Sequence, residues 1–159
     1  MRTVKRYKNL SIMTKSNMAR ILLTVLLAAV LPATRALAQD DLGINKIFER
    51  YGHARGCTLV ELHDIKIQQH RLKKYKSIVY TRIGSEVKAA LSEDRRRAKK
   101  IREIVDNGRI VSGYYMMPPQ KEGINRYVLF SDTDGRRGAV IYIEGRLSPD
   151  DIMDITFVR

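Results

Sequence analysis

The sequence predicts an α+β domain of about five mostly antiparallel strands, with helices packed on one face, after a cleaved signal peptide. Three observations carry this reading. The periodic segments run helix, strand, strand, helical stretch, three strands, helix, an order that needs no parallel crossover. The later strands are joined by short loops rich in Pro, Gly and Asp, which suit antiparallel hairpins. The first 38 residues differ in composition from everything after them, being basic, free of acids and apolar in the middle.

The leader begins with Arg2, Lys5, Arg6, Lys8, Lys15 and Arg20. The apolar run Ile21 to Leu31 follows, then Pro32 and the small-residue tripeptide Ala36-Leu37-Ala38. A basic start, a short apolar stretch and an A-x-A end describe a secretory signal peptide. The run falls short of the roughly 20 residues that span a bilayer. Cleavage is expected after Ala38, placing the protein in the periplasm or cell envelope with no transmembrane span in the mature chain. The start is Met1 or Met18, since Met18-Ala19-Arg20 gives a leader of more usual length. Residues 39–159 then form one domain.

In that domain Ile44, Ile47, Phe48 and Tyr51 recur at i, i+3, i+4 and i+7, one face of a short helix ended by Gly52 or Gly56. Cys57 to His63 alternates as a strand, with Cys57, Leu59, Glu61 and His63 on one face. Residues 64–76 are ambiguous, and Ser77 to Ile83 is a second strand. Ser85 to Asn107 reads as helical, either as one bent helix or as two, about 85–91 and 93–106. Ser92-Glu93-Asp94 supplies an N-terminal signal for the second, and Asn107-Gly108 supplies a C-terminal stop. Arg109 to Met117, closed by Pro118-Pro119, Asn125 to Ser131 and Ala139 to Glu144 are the remaining strands. Apolar residues of both parities in Val140-Ile141-Tyr142-Ile143 place that strand under cover on both faces. Ser148-Pro149-Asp150-Asp151 opens the last helix: serine caps, proline takes the first turn and the acids suit the dipole. Ile152 and Ile155 face inward.

The whole chain carries 30 Lys and Arg against 17 Asp and Glu, a net charge of +13. Seven of those basic residues and none of the acids lie in the leader, which leaves 23 against 17, or +6, for the mature domain. One cysteine excludes an intramolecular disulfide framework. The absence of tryptophan argues against a site built on ring stacking.

Candidate sites are few. The run Arg95-Arg96-Arg97-Ala98-Lys99-Lys100-Ile101-Arg102, read as helix, turns Ala98 and Ile101 inward and spreads Arg95, Arg96, Lys99, Lys100 and Arg102 over the outer arc. Such a surface binds polyanions by counterion release or rests on anionic headgroups, or is simply solvated. Export argues against nucleic acid as the partner. Glu61, His63, Asp64 and Cys57 are the residues an enzyme would draw on. Cys57 and His63 are six residues apart, however, roughly 20 Å along an extended strand. His53, His63 and His70 show no metal-ligand spacing. Asp132-Thr133-Asp134-Gly135 starts like a calcium loop, but Arg137 and Ile143 stand where glycine and glutamate are needed. Gly84-Ser85 alone does not make a phosphate loop. No cofactor and no metal are expected. Tyr114-Tyr115-Met116-Met117 is an apolar concentration assigned to the core, with one pair available to a partner.

The segments Ile-Phe-Glu-Arg-Tyr-Gly (47–52), Val-Glu-Leu (60–62), Tyr-Lys-Ser-Ile (75–78), Ala-Lys-Lys-Ile (98–101), Ser-Gly-Tyr-Tyr (112–115), Pro-Pro-Gln-Lys-Glu-Gly-Ile-Asn-Arg (118–126) and Tyr-Ile-Glu-Gly (142–145), behind a signal peptide, carry a resemblance. The chain resembles small exported domain-of-unknown-function proteins of anaerobic gut-dwelling Gram-negative bacteria. The resemblance covers nearly all of 43–159. It implies a small exported α+β domain and brings no catalytic residue with it.

The expected function is a non-enzymatic binding or interaction module of the envelope, with an envelope protein or a glycan as partner. One alternative is a small hydrolase-like periplasmic enzyme using Glu61, His63 and Cys57. The other is a polyanion or membrane-surface binder working through 95–102.

Overall fold

The computed structural model describes residues 42–156. The leader expected over 1–38 and its cleavage point lie outside the described residues. Within them the chain forms α1 (Gly43–Tyr51), β1 (Cys57–Ile67), β2 (His70–Tyr80), α2 (Gly84–Arg95), β3 (Lys99–Asp106), β4 (Arg109–Lys121), β5 (Ile124–Asp132), β6 (Gly138–Gly145) and α3 (Pro149–Thr156). The fold is α+β. One sheet runs in the order β1-β2-β6-β5-β4-β3, and every neighbouring pair is antiparallel. No described helix is long and apolar enough to cross a membrane.

The sheet has six strands rather than about five, and the extra one is β3. Residues 99–106, expected as helix, are an edge strand paired to β4 from Lys99↔Met116 to Asp106↔Arg109. The reason lies in Asn107-Gly108. Both residues hold positive φ, +48° and +74°, and turn a two-residue hairpin instead of ending a helix. Irregularities between Lys100 and Arg102 and between Ile104 and Val105 break the strand's alternation, so its period of two is hidden in the sequence. The ambiguous segment 64–76 likewise becomes the end of β1 and most of β2, closing at Gln68-Gln69 with Ile67 opposite His70. Pro118-Pro119 does not close β4, which runs on to Lys121. Its pairing with β5 lapses between Met117 and Lys121, so the prolines occupy positions where no ladder donor is needed.

The helices lie on both faces of the sheet, not on one. The first face carries Ile78, Tyr80, Val140, Tyr142, Val128, Phe130, Tyr115 and Met117, buried against Ile44, Ile47 and Phe48 of α1 and Val87 and Leu91 of α2. The opposite face carries Leu72, Tyr127, Leu129 and Ile143, packed with Leu147 and Ile152 at α3. Cover on both sides accounts for the two-parity apolar run in β6. The third helix, only eight residues long, leaves Val60, Leu62, Val79 and Ile104 of the outer strands exposed.

The start of α3 is built as its sequence signal says. The Asp151 N–H donates to Ser148 Oγ at 3.1 Å, and the Ser148 N–H donates back to Asp151 Oδ2 at 2.7 Å.

Candidate functional site

The five basic residues assigned to one helix arc do not form one surface. Arg95 is the last residue of α2, and the chain turns through Arg96, Arg97 and Ala98, whose N–H groups donate to the carbonyls of Glu93, Asp94 and Arg95. Strand β3 then divides the rest. Lys99 stands opposite Met116 and Arg102 opposite Tyr114, on the α3 side of the sheet. Lys100 stands opposite Tyr115, on the side covered by α1 and α2. Arg95, Arg96 and Lys100 therefore come together, and with Ser92, Glu103 and Tyr115 they line a hollow of about 360 Å³.

Glu103 is the centre of this hollow. It accepts a hydrogen bond from Lys100 Nζ at 3.0 Å and another from the Tyr115 hydroxyl at 2.8 Å, while Arg95 Nε lies 3.8 Å away. The Arg95 guanidinium also sits over the Tyr115 ring, 5.8 Å from its centroid. Arg96 reaches outward to Glu93 at 3.5 Å. Burial pushes the Glu103 carboxyl upward. The hydrogen bonds from Tyr115 and Lys100 and the charges of Lys100 and Arg95 outweigh it, so the group titrates below the ordinary carboxylate range. Burial and the bond to Glu103 drive the Tyr115 hydroxyl the other way, well above the ordinary tyrosine range. The hollow thus holds Lys100 and Arg95 beside the Glu103 carboxylate, with Arg96 at the rim turned to Glu93 and the Tyr115 hydroxyl held as a donor. Its excess positive charge suits an anion.

The residues named for an enzyme separate into three places. His63 Nε2 lies 3.2 Å from Glu61 Oε1, and Lys76 Nζ lies 3.1 Å from the same oxygen. Cys57 stands at the other end of β1, opposite Tyr80, and packs against the first core. Burial raises its thiol above the ordinary value, which disfavours the nucleophilic thiolate. Asp64 is turned away to Lys73, at 2.8 Å. Among the described residues no three His, Cys, Asp or Glu side chains converge as metal ligands.

A family model matches residues 31–156, which is most of the chain. The chain belongs to the family of unknown function DUF6108. No curated protein and no solved structure matches it.

Two features of this DUF6108 domain escaped the sequence reading. Glu103 and Tyr115, twelve residues apart, become neighbours only through the β3–β4 pairing. The second feature is Arg126 in β5, which is 1% exposed. Its guanidinium donates from Nε to the Pro118 carbonyl at 2.8 Å, and its charge acts on Tyr142, whose hydroxyl bonds Glu144. The signal was present, since an arginine directly precedes the apolar run Tyr127 to Phe130 of one strand. A buried guanidinium at this place ties the proline-bearing end of β4 to the sheet. The Tyr142–Glu144–Lys74 chain continues that polar row toward β2, with Lys74 4.0 Å from Glu144.

Proposed function

We propose that this chain is an exported, non-enzymatic binding module of the cell envelope, and that it takes an acidic polysaccharide at the hollow of Arg95, Arg96 and Lys100. One observation carries the binding surface: three cations, from the end of α2, the turn after it and β3, line a hollow whose lining holds a single carboxylate, Glu103. The leader's basic, apolar and A-x-A segments support export, as does the resemblance to exported proteins of gut anaerobes. Lys99 and Arg102 face the other side of the sheet and take no part.

Heparin is the probe. Retention on immobilised heparin is expected to fall in stages with Arg96→Ala and with Lys100→Ala, and to be unchanged with Lys99→Ala. Equal loss from all three would mean diffuse attraction and not a site. Export is read separately: the intact mass of the processed product should correspond to a chain beginning at Gln39, and a retained leader overturns the envelope placement.

A second reading rests on the 3.2 Å contact between His63 and Glu61, a carboxylate that orients an imidazole as a general base requires. Hydrolase activity abolished by His63→Ala, with folding intact, would favour it over the binding module.

A further inference from the structure

Arg95 also lines a second hollow, of about 290 Å³. The remaining lining includes Lys88, Leu91, Arg109, Ile110 and Phe130. Its character differs from that of the first. Leu91 and Phe130 belong to the buried core, and half-buried Ile110 packs against it, so one wall is apolar. The rim is cationic. A side-chain carbon placed on Gly135, in the β5–β6 loop, would lie 3.3 Å from Arg109 Nη1 and 3.6 Å from Lys88 Nζ. The two cations therefore flank a single point of backbone. Gly135 has φ +83°, a conformation that disfavours any side chain, so Gly135 itself puts no side chain between them.

The carboxylate nearest these cations is already engaged. Asp132, its side chain fully enclosed, lies 2.7 Å from Lys88 Nζ and accepts the Gly135 N–H at 2.6 Å. Arg109 lies close enough to Asp132 for its charge to hold that carboxyl down, and Asp106 is its cross-strand neighbour. Lys88 is paired with Asp132 and Arg95 with Glu103, so three cations against two carboxylates leave one excess positive charge over the apolar wall.

We infer that this second hollow binds a small amphiphilic anion, its carboxylate or phosphate head between Lys88 and Arg109 and its short apolar tail against Ile110 and Phe130. The volume, about 290 Å³, lies just below the ~300–1,000 Å³ seen for small-molecule sites, so the ligand is small. The inference extends the Arg95 reading to a different ligand class and shares only Arg95 with it.

The test compares octanoate, below its micelle concentration, with acetate, which has the same head and almost no tail. Both are titrated calorimetrically into the purified full-length chain. Octanoate should bind at least tenfold more tightly, since burying two methylenes suffices for about that factor. Arg109→Gln should weaken octanoate about tenfold, and Arg109→Lys should retain most of the binding. Heparin retention should be unaffected by either. Equal affinities for octanoate and acetate, no binding of octanoate, or an Arg109→Gln variant that binds as the parent does would each overturn the inference. Those results leave the heparin site standing if Arg96→Ala and Lys100→Ala still lose retention. Arg109 is exposed at a strand end, and matching thermal unfolding of the two variants and the parent excludes a folding defect as the cause.

Discussion

The carboxylate of Asp94 caps a helix that begins 51 residues earlier: Oδ1 accepts the Gly43 N–H at 2.7 Å and Oδ2 accepts the Ile44 N–H at 2.9 Å. Asp94 lies at the C-terminal end of α2, where its own helix dipole opposes a negative charge, and at the N-terminus of α1, where the dipole favours one. The carboxylate is 1% exposed, so it joins the two helices inside the core layer they share. No side chain of α1's own N-cap residue, Leu42, can do this work.

Asp94→Ala removes both acceptors and leaves one buried and one part-buried N–H group without them. The expected loss is about 2–3 kcal/mol. Urea unfolding should show a lower midpoint with an unchanged slope. Asp94→Asn keeps one acceptor oxygen and should fall between the two.

The hairpin at Asn107-Gly108 gives a second test. Gly108 holds φ +74°, so Gly108→Ala forces a left-handed conformation at a cost of about 1–2 kcal/mol. Asn107→Gly, at φ +48°, should be neutral or slightly stabilising. Thermal unfolding separates the two variants. Were 99–106 a helix, loss of a glycine beyond its end would instead be felt as a lost cap by the helix alone, with no effect on the β3–β4 pairing seen by amide exchange.

The contrast between these two sites explains what was legible in the sequence. Ser148-Pro149-Asp150-Asp151 could be read because its physics is local: both bonds of the cap close within three residues. Ile44, Ile47, Phe48 and Tyr51 could be read because one helix face is a property of spacing alone. Asp94 could not, since a serine and acids in sequence look like a helix start, while the helix start they serve is elsewhere in the chain. Asn107-Gly108 ends helices and turns hairpins with equal ease, and the bulged, charged strand before it lacked the alternation that decides between them. The mistaken helix carried the candidate site with it. Arg95, Arg96 and Lys100 are visible in the sequence as part of one basic run. Their common hollow, and the roles of Glu103 and Tyr115 in it, depend on a cross-strand register that the residues themselves do not announce.

Asp132 sets an acid limit on stability. Burial alone would raise its carboxyl, but the bonds from Lys88 and the Gly135 N–H, with the charges of Lys88 and Arg109, bring it below the ordinary range. A carboxyl depressed by folding contributes stability that is fully present above its unfolded value of about 3.9 and is lost as pH falls through the folded value. Asp132→Asn should therefore be less stable than the parent at neutral pH, by about 1.5–3 kcal/mol. The gap should close on acidification below about pH 4. A gap that stays constant with pH, followed by denaturant unfolding, would mean that the charge of Asp132 contributes nothing.

Glu103 competes with any anion that enters the first hollow. It neutralises part of Lys100 and Arg95, at 3.0 and 3.8 Å, and it is the lining's one carboxylate. Glu103→Gln keeps an oxygen to accept the Tyr115 hydroxyl and removes the charge. The expected result is tighter binding of heparin, by roughly 1 kcal/mol or about fivefold at low salt, since charges near a surface interact weakly through water. The gain should shrink as salt is raised, because screening weakens both the internal pair and the external ligand. The same variant loses ion pairs, so its melting temperature should drop slightly while its affinity rises. That opposition separates a binding hollow from a structural one. If Glu103→Gln lowers stability and leaves heparin retention where it was, the cations of this hollow serve the fold alone, and the proposed site fails.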